Sequence, residues 1–362
     1  MNFSSAKKVA LFSDIHFGKT RDSLTKLKLS ESYIDWFVKK CEENQIDVVI
    51  FAGDWFNNRT SIGLITSNIA YSCLKKIASK FPTLIILGNH DTAFKTSVDV
   101  NSIKAYGEMT NVYVIEKFTD IMIGNKRFAL CPWSTEVNKV TGYDFAVGHV
   151  EFSGAIRHDG CAEEEIKVYE MKDLFNMAPL VFMGHYHIRK EYYGETSKIL
   201  TIGSALELDW GDYGNEKGFY VLNLDSRSYE LIKNNVSPIH FKYYWSKLLN
   251  KEQIITTEQI KGNFLKLVVD CPYKFESIIK VINEINIRDP LRNCEPEYVF
   301  NANIDLMERG HSFEKEATGL KMTKLQYMEK FIDKMPEESM NGLDRNKLKE
   351  YTKMYYVRAE EM

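Results

Sequence analysis

Five short apolar runs in this chain each stop at a small residue and then present aspartate, asparagine or histidine. The runs lie at 9–12, 48–52, 84–87, 145–147 and 180–183. They lead into Ser13-Asp14-Ile15-His16, Gly53-Asp54, Gly88-Asn89-His90-Asp91, Gly148-His149 and Gly184-His185-Tyr186-His187. Each run has the length of a buried strand. In open α/β sheets the carboxyl ends of the strands form the ligand-binding rim, so groups far apart in sequence are expected to meet in one crevice. The small residue before each polar group lets the backbone turn sharply and approach the site closely.

The segments between the early runs have helical periodicity. Residues 30–43 place Ile34, Trp36, Phe37 and Cys41 inward, and residues 64–79 carry Ile65, Ile69, Cys73 and Ile77 on one stripe. Strands separated by helices predict parallel crossover pairing early in the chain. Past Trp133 the pattern becomes richer in strands, at 199–202 and 219–223, which predicts a mixed or two-sheet core. From about residue 241 the texture changes. A strand at 264–269, a helical stripe of Phe275, Ile278, Ile279, Ile282 and Ile285, and a strand near 298–300 predict a small α+β unit over 241–300. Residues 301–322 read as a linker. The tail, 323–362, reads as a helical hairpin. Its first helix is capped by Thr323 and Gln326 and lined by Leu325, Met328, Phe331 and Ile332. After a break at Pro336 and Gly342, the second is capped by Asp344 and lined by Leu348, Tyr351, Met354 and Tyr355.

Asp14, His16, Asp54, Asn89, His149, His185 and His187 form an oxygen and nitrogen donor set without sulfur, suited to Mn²⁺, Fe²⁺ or Zn²⁺. They are too many for one ion with an open position and sufficient for two ions bridged by a carboxylate, for which Asp54 is the natural candidate. Such a pair activates water as hydroxide and clamps a phosphoryl group. His90 is then left to touch the substrate, and Asp91 is placed to orient its imidazole. A single histidine after a strand is ordinarily a hydrogen-bonded structural residue. Here five of the eight histidines stand in strand-end motifs, which argues against coincidence. A scaffold that holds ions for stability alone is the intermediate reading.

Composition sets limits on partners and location. The formal net charge is -3, so any nucleic acid must be held by local cations rather than by a globally basic surface. Lys19, Arg21, Lys26, Lys28, Arg59 and Lys95 are the basic residues near the motifs. The six cysteines form no CxxC pair and read as reduced thiols. The first strand begins too early to leave room for a signal peptide, and no apolar stretch is long enough to span a bilayer. A cytoplasmic protein is expected.

The order D-x-H, GD, GNHD, GH, GHxH resembles the calcineurin-like metallophosphoesterases over about residues 8–235. The resemblance implies a four-layer α/β/β/α sandwich. It implies one metal at Asp14, His16, Asp54 and His187, and a second at Asp54, Asn89, His149 and His185. His90 matches the family's catalytic histidine. The segment Gly53-Asp54-Trp55-Phe56-Asn57-Asn58-Arg59 lacks the GDxxDRG pattern of protein Ser/Thr phosphatases, and GNHD stands where those enzymes usually have GNHE. The Tyr ligand spacing of purple acid phosphatases is also absent. Val147 to Glu151, Ile202-Gly203-Ser204, Lys217-Gly218-Phe219 and the tail with Pro336 look like the SbcD/Mre-eleven nucleases, most closely the short T-even-phage branch of recombination endonuclease subunits.

That family implies a nuclease domain over 1–240, a capping domain over 241–300 and a C-terminal helical hairpin for partner binding. It further implies Mn²⁺-dependent exonuclease and single-strand endonuclease activity on DNA, a homodimer, a partner ATPase of the Rad-fifty/SbcC type, and a role in double-strand-break repair and recombination. Many members have histidine three residues after the bridging aspartate, where this chain has Asn57. A small-molecule nucleotide phosphodiesterase on the same core and a non-catalytic DNA-end tether remain as alternatives.

Overall fold

The computed structural model describes residues 3–94, 97–156, 168–260, 262–271, 273–288 and 294–298, and in the tail 329, 332–333 and 344–360. The chain divides into two compact units, 1–300 and 301–362. The first unit begins β1 (Lys8–Phe12), α1 (Lys19–Asp22), α2 (Leu24–Glu43), β2 (Val48–Phe51), α3 (Leu64–Ala78), β3 (Thr83–Ile86) and β4 (Val112–Ile115). There follow β5 (Thr119–Ile123), β6 (Lys126–Cys131), β7 (Phe145–Gly148), α4 (Met171–Phe175), β8 (Leu180–Met183), β9 (Lys190–Tyr193) and β10 (Lys198–Thr201). The unit closes with β11 (Gly218–Asn223), β12 (Tyr229–Lys233), β13 (His240–Tyr244), α5 (Trp245–Leu249), α6 (Thr257–Ile260), β14 (Phe264–Val269), α7 (Phe275–Arg288) and β15 (Glu295–Tyr298).

Two six-stranded sheets form the body, ordered β12-β11-β1-β2-β3-β4 and β5-β6-β7-β8-β10-β9. Their facing sides share one apolar layer, with Val9, Leu11, Ile50 and Leu84 from the first sheet against Phe128, Phe145, Val147 and Phe182 from the second. The outer face of the first sheet is covered by α2 and α3 through Phe12, Phe37, Phe51, Leu74 and Ile77. The outer face of the second carries Leu174 of α4 with Ala146, Val181 and Ile199. The layers are therefore α/β/β/α, as expected from the motif order. Strands buried on both faces need near-continuous apolar sequence, which is why β2, β3, β7 and β8 show no polar alternation.

Parallel register brings the site-bearing ends together. Phe12 of β1 pairs with Phe51 of β2, and Gly148 of β7 with Met183 of β8, so each pair of strands stops at the same level.

Some helix faces differ from the periodicity. Helix α2 starts at Leu24, six residues before the predicted start, and buries Leu27 and Ser30 in addition to Ile34, Trp36, Phe37 and Cys41. On α3 the stripe is rotated: Thr66, Ala70, Cys73, Leu74 and Ile77 are buried while Ile65 is exposed. Small Thr66 and Ala70 allow close approach to the sheet, and the apolar moment alone did not weigh that. Strands β4 to β6, β9, β12 and β13 carry no site motif and lie outside the runs predicted from the sequence.

The small sheet β13-β14-β15 is all parallel and has a separate core, in which Tyr243, Leu265, Leu267 and Val269 meet Ile278, Ile282 and Ile285 of α7. Ile279, predicted inward, is 37% exposed. The predicted strand at 298–300 is found at Glu295–Tyr298, with 299–300 outside the described residues.

In the second unit a helix runs Arg345–Glu360, and Asp344 caps it by accepting from the Lys347 N–H at 3.0 Å. Tyr351 is exposed, while the side chains of Met354 and Tyr355 lie outside the described residues. Of the predicted helix from Thr323, only Glu329, Ile332 and Asp333 are described, and they are helical. The remainder of that helix and the predicted linker lie outside the described residues. No helix among the described residues is long and apolar enough to cross a membrane. Cys41, Cys73, Cys131, Cys271 and Cys294 form no disulfide among the described residues, and Cys161 lies outside them.

Candidate metal centre

The loops after β1 and β2 continue to pair beyond the strands. Asp14 N–H donates to the Gly53 carbonyl at 3.0 Å, His16 N–H to Asp54 at 3.2 Å, and Phe17 N–H to Trp55 at 2.9 Å. Regular pleating is broken because Asp14, His16, Asp54 and His185 all have left-handed backbone, with φ between 48° and 75°. In this region a non-glycine residue carries strain on the order of 1 kcal/mol, and such strain collects at functional sites. Here it turns successive polar side chains toward one crevice instead of to alternate sheet faces.

Two glycines make this approach possible. A Cβ on Gly53 would fall on the His149 imidazole, and one on Gly184 would fall on the Ala52 carbonyl and the Ser13 hydroxyl.

All seven predicted donors meet. Asp14, His16 and His187 form one cluster; Asp54, His149 and His185 form another; His16, Asp54 and His90 form a third that overlaps both. His187 Nε2 lies 3.0 Å from His16 Nε2. Oδ2 of Asp54 lies 3.3 Å from His149 Nε2 and 3.6 Å from His16 Nε2, so one carboxylate reaches both halves. Asn89 Oδ1 lies 3.0 Å from His149 Nε2 and 3.1 Å from His185 Nδ1.

The chemistry of this set fits divalent cations. His149 Nδ1 is held by the Ala52 carbonyl at 2.7 Å and so carries a proton, which leaves Nε2 as the ring atom that faces Asp54 and Asn89. Asp14 Oδ1 is buried without a hydrogen-bond partner. Facing acceptors of this kind repel one another unless a positive charge lies among them.

The titration behaviour reports the same crowding. Burial opposes ionisation of Asp54, yet the surrounding His149, His90 and His16 hold its carboxyl well below the usual range. Burial lowers the His16 pKa, and Asp14 and Asp54 only partly restore it. Burial, then the charge of Asp54, raises Asp91 to about 7, while N–H donors from Phe56 and Gly88 pull the other way.

Asp91 requires a correction. It was expected to orient the His90 ring, but its carboxylate accepts from the N–H groups of Asp54, Phe56 and Gly88, each at 3.0 Å. It therefore fixes the turn that carries Asp54. The His90 ring is held instead through Nδ1 by the Asn57 carbonyl at 2.6 Å, and it lies edge-on to His16 with ring centroids 4.9 Å apart. Asp54 Oδ1 accepts the His90 N–H at 2.8 Å.

The Ala52 and Asn57 contributions come from main-chain carbonyls, which side-chain identity does not signal. Trp133, also unanticipated, packs beside His185 with ring centroids 5.4 Å apart.

Two of the basic residues are engaged within the protein. Lys19 pairs with Asp209 at 2.6 Å, and the Lys26 ammonium sits 3.7 Å over the Phe264 ring. Burial, then repulsion from Lys19, lowers Lys26 to about 8. Lys28 is exposed; Lys95 and the Arg21 side chain lie outside the described residues.

Paired sheets with this donor cluster at their shared end define a metal-dependent phosphoester hydrolase, and the chain belongs to the calcineurin-like phosphoesterase family, whose sequence model matches residues 7–189. Among curated relatives it is similar to exonuclease subunit 1 of Enterobacteria phage T4, 24% identical over 97% of this chain and 99% of that protein. It is also similar to a subunit of the nuclease SbcCD from Staphylococcus saprophyticus, 23% identical over 61% of this chain and 66% of that protein. A solved archaeal phosphodiesterase aligns at 12% identity with a TM-score of 0.34, covering 63% of this chain and 99% of its own.

Proposed function

We propose that this chain is the DNA nuclease subunit of a double-strand-break repair and recombination complex, acting as exonuclease and single-strand endonuclease. The observation that carries the hydrolytic half of this reading is the Asp54 carboxylate reaching both donor clusters. The DNA half is supported by similarity to a phage exonuclease subunit over nearly the whole of both chains.

Asp14, His16, Asp54 and His187 would hold one cation, and Asp54, Asn89, His149 and His185 the other, with Mn²⁺ suited to the set. Bound there, the pair supplies positive charge that polarises a phosphodiester and makes water nucleophilic near neutral pH. The protein's own groups do the remaining work. Asp91 fixes the turn bearing Asp54, and Ala52 fixes the tautomer of His149. His90, its Nδ1–H on the Asn57 carbonyl, would act as the imidazolium, giving the proton on Nε2 to the departing oxygen and being left as the neutral Nδ1–H ring.

The domain scheme keeps the catalytic region at 1–240, a capping region at 241–300, a linker at 301–322 and a partner-binding tail at 323–362. The tail would engage an ABC-type ATPase subunit. Leu64, Ile65 and Tyr71 on α3 are 83%, 54% and 45% exposed, an apolar face suited to a homodimer.

One assay separates the readings. Purified protein with Mn²⁺ is offered a labelled DNA duplex with single-stranded ends and, separately, a small chromogenic diester. DNA degradation is the expected result. Cleavage of the diester alone would indicate a small-molecule phosphodiesterase, and cleavage of neither would indicate a metal-stabilised tether.

A further inference from the structure

A buried ion pair lies beneath the His187 loop. Lys217, the residue before β11, and Asp212 have side chains that are 5% and 0% exposed. The Lys217 ammonium donates to Asp212 Oδ1 at 2.8 Å and to the main-chain carbonyl of His187 at 2.7 Å. The other Asp212 oxygen accepts the Leu208 N–H at 2.9 Å, so the carboxylate is itself fixed. The Ser204 N–H also donates to the His187 carbonyl, at 3.2 Å, and the Arg189 N–H donates to Asn215 Oδ1 at 3.1 Å. The backbone on and just after His187 is therefore clamped to the segment between β10 and β11.

The pair is an expensive way to fill space. Two charges are removed from water, and an apolar pair of similar volume would stabilise the fold as well or better. Burial pulls the Lys217 pKa down, and Asp212 acts to restore it. What an apolar pair cannot do is donate to a carbonyl. Asp14 and His16 are aligned by main-chain bonds to the Gly53–Trp55 loop, whereas the His187 carbonyl is held from the segment that ends at Lys217.

We propose that Lys217, held by Asp212, is a positioning residue for His187, fixing its peptide so that the imidazole already faces Asp14 and His16 when a cation arrives. This rests on the reading of His187 as a cation ligand. The buried Lys217 ammonium is taken up by Asp212 and the His187 carbonyl, so it would act through His187. Its effect should appear in the affinity of one of two ions, as for other outer partners of metal ligands.

The test uses the full chain and Mn²⁺ alone. Isothermal titration and melting with and without Mn²⁺ are compared for wild type, His187→Ala, Lys217→Arg and the double variant Lys217→Met/Asp212→Leu, which removes both charges together. In the double variant one ion should bind as in wild type and the other about tenfold or more weakly. The Mn²⁺-induced rise in Tm should shrink accordingly. Lys217→Arg keeps the charge and the donors and should bind the second ion more tightly than the double variant. Should the double variant not fold, Lys217→Met/Asp212→Asn, which keeps an acceptor for the Leu208 N–H and still offers the His187 carbonyl no side-chain donor from position 217, is read in its place with the same expectation.

If His187→Ala loses an ion while the lysine variants keep both at wild-type affinity, Lys217 is a stabilising residue only and the positioning role is overturned. If His187→Ala itself keeps both ions at wild-type affinity, the ligand reading of His187 fails, and the proposal with it.

Discussion

His149 turns its Nε2 toward Oδ2 of Asp54 at 3.3 Å while the Ala52 carbonyl holds its Nδ1 at 2.7 Å. Burial works to lower the pKa of this ring, but Asp54, Asp14 and the Ala52 carbonyl together outweigh it and raise His149 to about 9. A proton therefore occupies, in the cation-free protein, a nitrogen that a metal would need.

Cation uptake should expel that proton. Affinity for Mn²⁺ should climb about tenfold per pH unit below 9 and level off above it. Titration calorimetry in buffers of different ionisation enthalpy would count the proton released. The same shift has a stability consequence. His149 ionises near 6.5 when unfolded and near 9 when folded, so its contribution is complete below pH 6.5 and is lost as pH rises through 9. The cation-free protein should melt progressively lower over that window, and the loaded protein should not follow it.

Asp54→Ala should lose both ions together, because one carboxylate reaches both donor clusters. Hydrolysis should fall by about a thousandfold or more with it. Metal content measured after dialysis, beside the nuclease assay, checks both effects. Full activity in this variant would show that the chemistry lies elsewhere.

His90→Ala should separate binding from chemistry. Its ring is anchored on the Asn57 carbonyl, and the seven assigned donors remain without it. Metal content should be unchanged while kcat falls by about 10²–10⁴, the usual range for a lost general acid. A drop in metal content equal to the drop in rate would instead make His90 a ligand, which its proximity to His16 and Asp54 allows geometrically.

Removal of residues 323–362 should abolish co-purification with an ATPase partner. Metal-dependent cleavage of a small diester should persist, because the donor residues all lie in the separate unit 1–300. Retained co-purification would defeat the docking role of the tail.

Much of the site was legible before any coordinates because strand-end chemistry is local. A small residue followed by Asp, Asn or His after an apolar run states both where the strand stops and what it presents. The donors Asp14, His16, Asp54, Asn89, His149, His185 and His187 were identifiable on that ground, and parallel pairing then aligned their ends. The role of Asp91 was misread because sequence adjacency suggested His90 as its partner. In a turn, neighbouring side chains point apart, and the carboxylate found three backbone donors. Lys26 illustrates the same limit, since a lysine near a crevice reads as a phosphate contact until Phe264, distant in sequence, comes to lie beneath it.

Hydrophobic runs and the residues that end them were enough to mark the motif-bearing strands, their burial, the donor types and Asp54 as the bridging candidate. Long-range packing alone placed Asp91 on the turn that bears Asp54 and made the carbonyls of Ala52, Asn57 and His187 anchor points. A carbonyl is present at every residue. Which ones matter depends on the backbone path around them, and that path is set by long-range packing.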